Sequence, residues 1–443
     1  MYKRQGQGIS ADRIAGLAAF TTQDPRQELA RWALYARTQH PAPPPDDLVL
    51  VESFDDYCVF EGTTSMPVYQ SGDAPYLDGG GEILLAQDGA PVLDHWETAR
   101  VVLTLPRQSP PAAGFPLVMM IRTGGGGDRP LVDRGPRDAT GQVLVPGSGL
   151  AMTFAQAGWA GLSVDGPLGG LRNTTGGDEQ FLIFNVGNPT AMRDNLRQSA
   201  IEVGLWPGLV QGLSVEASAC AGLGEVARID ATRLALLGHS MGASIGPLAA
   251  GVTPEVSALL LSGAGGSWIE NVVHKQSPLE VRPIAEAMLG YDDRTLIEAD
   301  PALQLLQWAG EAADPPVWGA DLQAAGRHVL MVQGIVDTYI LPPIANTTSL
   351  SLGLDLGGEV LDANHPDLAS YRSLAEVLPY AGGQVLPLPV QANRGGATRV
   401  VVQHLEDGVE DGHEVLFQLD LPREQVRGFL EGLASGQAPV VGE

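Results

Sequence analysis

Ser240 is the residue whose surroundings point most directly to chemistry. It lies in Gly238-His239-Ser240-Met241-Gly242, after the apolar run RLALLGH (233–239) and before the small-residue stretch ASIGPLAAG (243–251). Strand, tight turn, then helix is the context in which a G-x-S-x-G serine acts as a nucleophile. Such a turn holds the hydroxyl above the sheet edge on strained backbone. Bulky side chains two residues to either side would collide with the neighbouring strand and helix. The helix N-terminus favours the negative charge that develops on the reacting oxygen. The competing reading is an ordinary strand-to-helix turn.

A serine hydroxyl is a weak nucleophile until a histidine takes its proton, and an acid must orient that histidine. After an elbow of this kind the acid comes next in the chain and the histidine last. RHVLMVQG (327–334) reads as a strand and runs into Ile335-Val336-Asp337-Thr338-Tyr339, which makes Asp337 the candidate acid. It could instead be a capping or turn aspartate. Asp292, Asp293 and Asp300 lie in polar, helix-like sequence with no strand before them and rank lower. His365, His404 and His413 follow the acid. His404 falls inside the strand-like TRVVVQHL (398–405), sharing a face with Val400 and Val402, where a side chain packs. His413, in Glu410-Asp411-Gly412-His413-Glu414, falls on a loop before a terminal helix and is the candidate base. The 76 positions from Asp337 to His413 require an insertion over roughly 343–395.

A tetrahedral oxyanion needs two preorganised N–H donors. Met241, directly after the nucleophile, is expected to give one. The loop after FPLVMMIR (115–122), Thr123-Gly124-Gly125-Gly126-Gly127-Asp128, is expected to give the other. Glycines there let the backbone approach a substrate closely. Gly124 or Gly125 is favoured, with the register open, and the alternative is a merely flexible loop.

These residues need a scaffold, and the hydropathy pattern supplies one. Strand-like runs occur at 99–106, 115–122, 158–165, 233–239, 256–263, 327–334 and 398–405. Helix-length segments separate most of them, including 148–157, 189–204, 241–251 and 422–434. That alternation predicts an α/β fold with a mostly parallel sheet flanked by helices. Shorter runs at 48–52, 56–60 and 66–70 predict a small antiparallel β lead-in over 48–96. A helix around ELARWALYART and the proline-rich HPAPPPDD (40–47) read as an N-terminal remnant and linker over 1–47. The main domain is placed at 97–435. Within it, 264–320 carries Trp268, Ile269, Val272, Val273, Met288, Leu289, Trp308 and Trp318, which suit a cap-like insertion or simply packed core helices.

Composition narrows the function. The 443 residues carry a formal charge of −26, which repels phosphate backbones and argues against nucleic-acid binding. No run approaches the ~18 apolar residues of a membrane span. Lys3 and Lys275 are the only lysines, a bias that fits either a GC-rich genome or a salt-adapted surface. Cys58 and Cys220 form no CxxC, so no zinc site is indicated. They are either one disulfide or two buried thiols. The first residues, MYKRQ (1–5), resemble a sequencing-adapter remnant, so the natural N-terminus, with any signal region, is expected to be missing.

Together these residues resemble α/β-hydrolase fold esterases and lipases over about 97–435. A narrower resemblance is to large secreted or surface-anchored bacterial lipases of the Vibrio surface-lipoprotein type. It rests on Phe184-Asn185, Asn188-Pro189 and Arg193-Asp194-Asn195-Leu196-Arg197-Gln198. Asp165-Gly166-Pro167, Gly170-Leu171-Arg172 and Asp337-Thr338-Tyr339 add to it, and Phe20-Thr21-Thr22-Gln23 looks like the tail of that family's N-terminal β domain. Many relatives carry His-Gly where this chain has Arg122-Thr123-Gly124, a departure that bears on the oxyanion donor. The resemblance implies hydrolysis of small-molecule, lipid or polyester esters outside the cytoplasm, at the cell surface or in the periplasm. Ser240, Asp337 and His413 form the triad in that reading, and neither metal nor organic cofactor takes part. A peptidase or acyltransferase on the same fold, or a non-catalytic surface-binding protein with a hydrolase-like scaffold, are the competing functions.

Overall fold

A computed structural model describes residues 24–125 and 127–443. The adapter-like Met1–Gln5 and the Phe20–Gln23 motif lie outside the described residues. The chain first forms a helix, α1 (Arg26–Gln39), then three antiparallel strands, β1 (Asp46–Ser53), β2 (Tyr57–Val68) and β3 (His95–Pro106). β4 (Phe115–Met120), α2 (Leu150–Gln156), β5 (Ala160–Val164) and α3 (Pro189–Val203) follow. After the short β6 (Ser214–Glu216) come β7 (Val226–His239), α4 (Met241–Val252) and β8 (Val256–Ser262). Three helices, α5 (Trp268–His274), α6 (Val281–Leu289) and α7 (Pro301–Gly310), precede β9 (His328–Ile335). Then come α8 (Pro342–Ser351), β10 (Asp355–Gly357), β11 (Val385–Leu386), β12 (Val390–Gln391), β13 (Arg399–Leu405), α9 (Asp420–Ala434) and β14 (Val440–Val441).

The main sheet runs β1-β2-β3-β5-β4-β7-β8-β9-β13-β10-β11, with β6 pairing β7. From β5 to β11 every neighbouring pair is parallel. Successive residues of a central strand feed opposite cores. Leu236, Leu259, Met331 and Val401 pack with α3 and α4 on one face. Leu237, Leu260, Leu330, Val400 and Val402 pack with Phe154 and Phe429 of α2 and α9 on the other. A strand buried on both faces has to read as continuously apolar, which is why these strands stand out in the sequence.

Three expectations need correction. The runs at 56–60 and 66–70 are one strand, β2, because polar Glu61–Ser65 still pairs along β3. The division at 96/97 is not a boundary, since β3 crosses it and joins the β lead-in to the parallel sheet through β5. The segment 1–47 is not merely a remnant and linker. Leu29 and Trp32 of α1 are buried in the main core, and Arg197 stacks over the Trp32 ring at 4.0 Å.

The insertion 264–320 holds α5, α6 and α7 around a small core of Val272, Val273, Leu296 and Leu303. The segment 343–395 extends the sheet edge with β10 and β11. Cys58 of β2 and Cys220 are joined in a disulfide, tying the 217–224 loop to the antiparallel edge.

Candidate active site

The sharp turn at Ser240 is visible in its backbone, with φ 54° and ψ −117°, a region that L-residues occupy only under strain. Its N–H donates to the Ser262 carbonyl at 3.0 Å, pinning the turn to the end of β8. The glycines on either side follow from crowding. A Cβ on Gly238 would sit 2.2 Å from the Gly242 carbonyl oxygen, and one on Gly242 would sit 3.0 Å from that of Ile121. Met241 opens α4, so its N–H has no acceptor within the helix.

Asp337 and His413 meet beside this turn. Asp337 Oδ2 accepts from His413 Nδ1 at 2.9 Å, and both side chains are buried. Because a carboxylate only accepts, the ring proton lies on Nδ1 and Nε2 is the basic nitrogen. His413 Nε2 has no hydrogen-bond partner among the described residues. The other oxygen of Asp337 accepts from the backbone N–H groups of Tyr339 and Ile340 at 2.8 and 2.7 Å. Ser240, His413, Tyr339, Gly124 and Gly125 line one cleft with an empty volume of about 670 Å³. Gly263, with φ 51°, lets β8 end against the imidazole; a Cβ there would sit 2.5 Å from His413 Cε1.

Two rings pack against the imidazole. Tyr339 stacks on it with ring centroids 4.5 Å apart and planes 15° from parallel. His239 lies tilted against it, with ring centroids 4.7 Å apart and planes at 49°. Burial, with lesser contributions from the positive Arg134 and from His413, holds the His239 imidazole well below the ordinary histidine range. His239 is therefore a neutral wall rather than a competing base.

Sequence reasoning missed two organising residues. Asp411 bridges the acid and histidine loops: its carboxylate accepts from the His413 N–H at 2.8 Å and from the Thr338 hydroxyl at 2.7 Å. Arg134 bridges the glycine loop and the histidine loop. It forms a two-pronged ion pair with Glu414, donates to Thr123 Oγ1 at 2.9 Å and lies 4.4 Å from the centroid of the Phe417 ring. The Thr123 hydroxyl in turn donates to the Gly125 carbonyl, folding the glycine loop back on itself. A sequence signal existed for Asp411, an aspartate two residues before the histidine and suited to capping its turn. None existed for Arg134, whose partner is 280 residues away.

The remaining candidates lie elsewhere. His404 faces α9, where its Nε2 meets Gln425 Oε1 at 3.0 Å. His365 caps a single turn at 366–368. Asp300 caps α7, and Asp292 and Asp293 are exposed. No residue of 264–320 is among those lining the cleft. At the departure from the expected His-Gly, Arg122 is buried and grips both oxygens of Glu179 at 2.7 Å, the Asp128 carbonyl at 2.8 Å and Asp165 at 3.3 Å. It thereby closes the base of the glycine loop.

Apart from Asp337-Thr338-Tyr339, which lie at the cleft, the described residues that carried the lipase resemblance include a buried structural network. Asp194 accepts from the Ile83 N–H at 3.0 Å, and Gln198 accepts from that of Tyr69 at 3.0 Å. Asn195 accepts from Gln70 at 2.8 Å, and Arg172 pairs with Glu202 and Glu97. They fasten the segment after β2 to α3, well removed from any catalytic task.

No protein-family model matches the chain, and no curated protein matches it in sequence. Several solved structures are similar in fold. Acetyl xylan esterase 1 from Thermoanaerobacterium sp. JW/SL YS485 is 11% identical, over 93% of this chain and 94% of that one, with a TM-score of 0.47. A CE15 glucuronoyl esterase from Teredinibacter turnerae T7901 is 14% identical, over 95% and 87%, with a TM-score of 0.43. A 2,6-dihydroxy-pseudo-oxynicotine hydrolase is 15% identical, over 80% and 69%, with a TM-score of 0.40. Similarities this distant carry no statement about what this chain does. With its parallel sheet covered by helices on both faces and its strained serine turn between β7 and α4, the chain has the α/β-hydrolase fold.

Proposed function

We propose that this protein is a serine hydrolase that cleaves carboxylic esters through an acyl-enzyme. The observation that carries this reading is the convergence of Ser240 and the Asp337–His413 pair on one cleft, with Nδ1 committed to the acid and Nε2 open. His413 Nε2 takes the Ser240 proton as Oγ attacks the ester carbonyl, and the imidazolium is held by Asp337. The N–H of Met241 and one from Gly124 or Gly125 hold the oxyanion. The carbon–oxygen bond to the alcohol breaks as His413 returns the proton to the leaving oxygen. Water, activated by the same nitrogen, then releases the acid and frees Ser240. Apart from that water and the ester, every step uses groups of this chain.

Among ester hydrolases we take an esterase acting on soluble substrates rather than a lipase or polyesterase, because the cleft offers little apolar surface for a long chain. The Cys58–Cys220 disulfide supports an oxidising location, outside the cytoplasm.

The test is active-site labelling with a fluorophosphonate, paired with turnover of p-nitrophenyl acetate. Wild type is expected to label and to turn over, and Ser240→Ala to do neither while keeping its circular dichroism spectrum. Retention of a tenth of wild-type turnover by pure Ser240→Ala would rule this serine out. A well-folded wild type that neither labels nor turns over would favour the non-catalytic binding module.

A further inference from the structure

The cleft around Ser240 and His413 is lined by Arg134, Arg137, Gln180, Glu410, Glu414 and Gln418, and no aliphatic side chain is among its lining residues. Tyr339 and Phe417 supply its larger apolar surfaces. Four of the six polar residues are already engaged. Arg134 and Glu414 pair with each other, and Gln180 donates to Asp178. Gln418 donates to the Arg137 carbonyl and to Asp407, and accepts from the Arg137 N–H.

Arg137 and Glu410 differ from these four. Arg137 is held by Gln418 through its backbone N–H and carbonyl, and Glu410 reaches Asp407 through its backbone N–H. Among the described residues neither side chain has a hydrogen-bond or ion-pair partner, though both are half-buried. The cleft thus offers a substrate a free five-donor fork and a free two-oxygen acceptor. A hydrocarbon laid between them would strip water from two charges and return no bond. An alcohol with one sign of charge would satisfy one and repel the other. A polyhydroxylated alcohol satisfies both, since each hydroxyl donates one hydrogen bond and accepts others. Gly124 and Gly125, which line the cleft with Ser240, carry no side chain from which a groove for a long chain could be built.

We propose that the substrate is an ester of a short carboxylic acid with a polyhydroxylated, sugar-like alcohol, whose hydroxyls are held by Arg137 and Glu410. This rests on the reading of Ser240 as an ester-cleaving nucleophile. Water is consumed, the acyl carbon–oxygen bond breaks, and the products are the short acid and the free polyol.

The experiment compares kcat/KM of the full chain for an acetylated methyl pyranoside and for cyclohexyl acetate, a ring of similar size without hydroxyls. p-Nitrophenyl acetate and octanoate run alongside. The pyranoside is expected to exceed cyclohexyl acetate by at least about tenfold, and acetate to exceed octanoate. That pyranoside-to-cyclohexyl ratio should fall about tenfold in Arg137→Ala and in Glu410→Ala. Equal or better turnover of cyclohexyl acetate, a preference for octanoate, or a ratio unmoved in both variants overturns the substrate proposal. If p-nitrophenyl acetate is still cleaved in a Ser240-dependent way, the esterase reading survives that failure. If even this ester is untouched, the failure lies in the esterase reading itself.

Discussion

Gly334, near the end of β9, lies so close to Gly412 that a Cβ on it would sit 1.7 Å from the Gly412 carbonyl oxygen. A Cβ on Gly412 would in turn sit 2.2 Å from the Val336 carbonyl. The Gly412 N–H donates to that same carbonyl at 2.8 Å. These contacts set the distance between the strand end that leads into Asp337 and the turn that carries His413. Even one methyl group must therefore push the acid and the base apart, and a small misplacement costs orders of magnitude in rate. Gly334→Ala is expected to lower kcat/KM at least about a hundredfold while the far-ultraviolet spectrum stays native. Activity above half of wild type per folded molecule would show that the two loops are not held by this contact.

Asp411 acts on the same alignment through hydrogen bonds rather than sterics. Replacing it by Ala orphans the His413 N–H and the Thr338 N–H, at a cost of about 1–3 kcal/mol for each group left without a partner, while the Thr338 hydroxyl keeps only its bond to Ser277. The expected result for Asp411→Ala is a fall in kcat of about tenfold or more with little change in KM. Asn, whose amide oxygen still accepts, should recover part of the loss. A change confined to KM would place Asp411 in substrate binding instead.

The elements legible in the sequence are those whose causes are local. The Ser240 turn announces itself because Gly238 and Gly242 touch each other across four residues. Strands β7, β8, β9 and β13 announce themselves because burial on both faces demands unbroken apolar runs. Asp337 and His413 follow from chain order once the turn is found. Other features depend on partners far along the chain. Arg134 reads as one more arginine until Glu414 and Thr123 are beside it. Gly263 reads as a loop glycine until the His413 ring lies against it. Arg193–Gln198 misleads in the opposite direction. Dense polar residues on a helix suggest function, yet here they satisfy buried backbone groups at Tyr69 and Ile83.

The two late histidines have opposite surroundings, and their variants should differ in kind. His404 is buried among the side chains that meet α9 and bonds Gln425, so His404→Ala leaves a cavity and an unpaired Gln425 Oε1. Its melting temperature should drop by several degrees while turnover per folded molecule stays near wild type. His413→Ala removes the group that faces the cleft, so turnover should fall by several orders of magnitude with only a small change in melting temperature. Active-site titration alongside thermal melts separates the two. Reversed phenotypes would assign the base to His404.

Asp314 gives the fold a pH dependence that can be isolated. Its carboxyl is 3% exposed and accepts from the Ser267 N–H at 2.9 Å and from Gln307 Nε2 at 2.6 Å, at the start of α5. Burial outweighs these bonds and pushes its pKa up to about 6 from 3.8. The folded state therefore holds a proton that the unfolded chain has already lost between pH 3.8 and about 6. The stability this proton brings is fully present below 3.8 and is lost as pH rises through about 6. A displacement of about two units corresponds to about 3 kcal/mol. Asp314→Asn stays uncharged at every pH, keeps an acceptor for Ser267, and lets the Gln307 amide turn to meet its new donor. Many other carboxylates titrate over the same range in this acidic chain, so the informative quantity is the difference between variant and wild type. At pH 4 the two should melt within about 1 °C of each other. At pH 7.5 the variant should melt about 3 °C higher, the shift that about 3 kcal/mol produces in a domain of this size. A difference that does not change between the two pH values would mean that Asp314 is ionised at both, with its charge stabilised by the α5 N-terminus despite its burial.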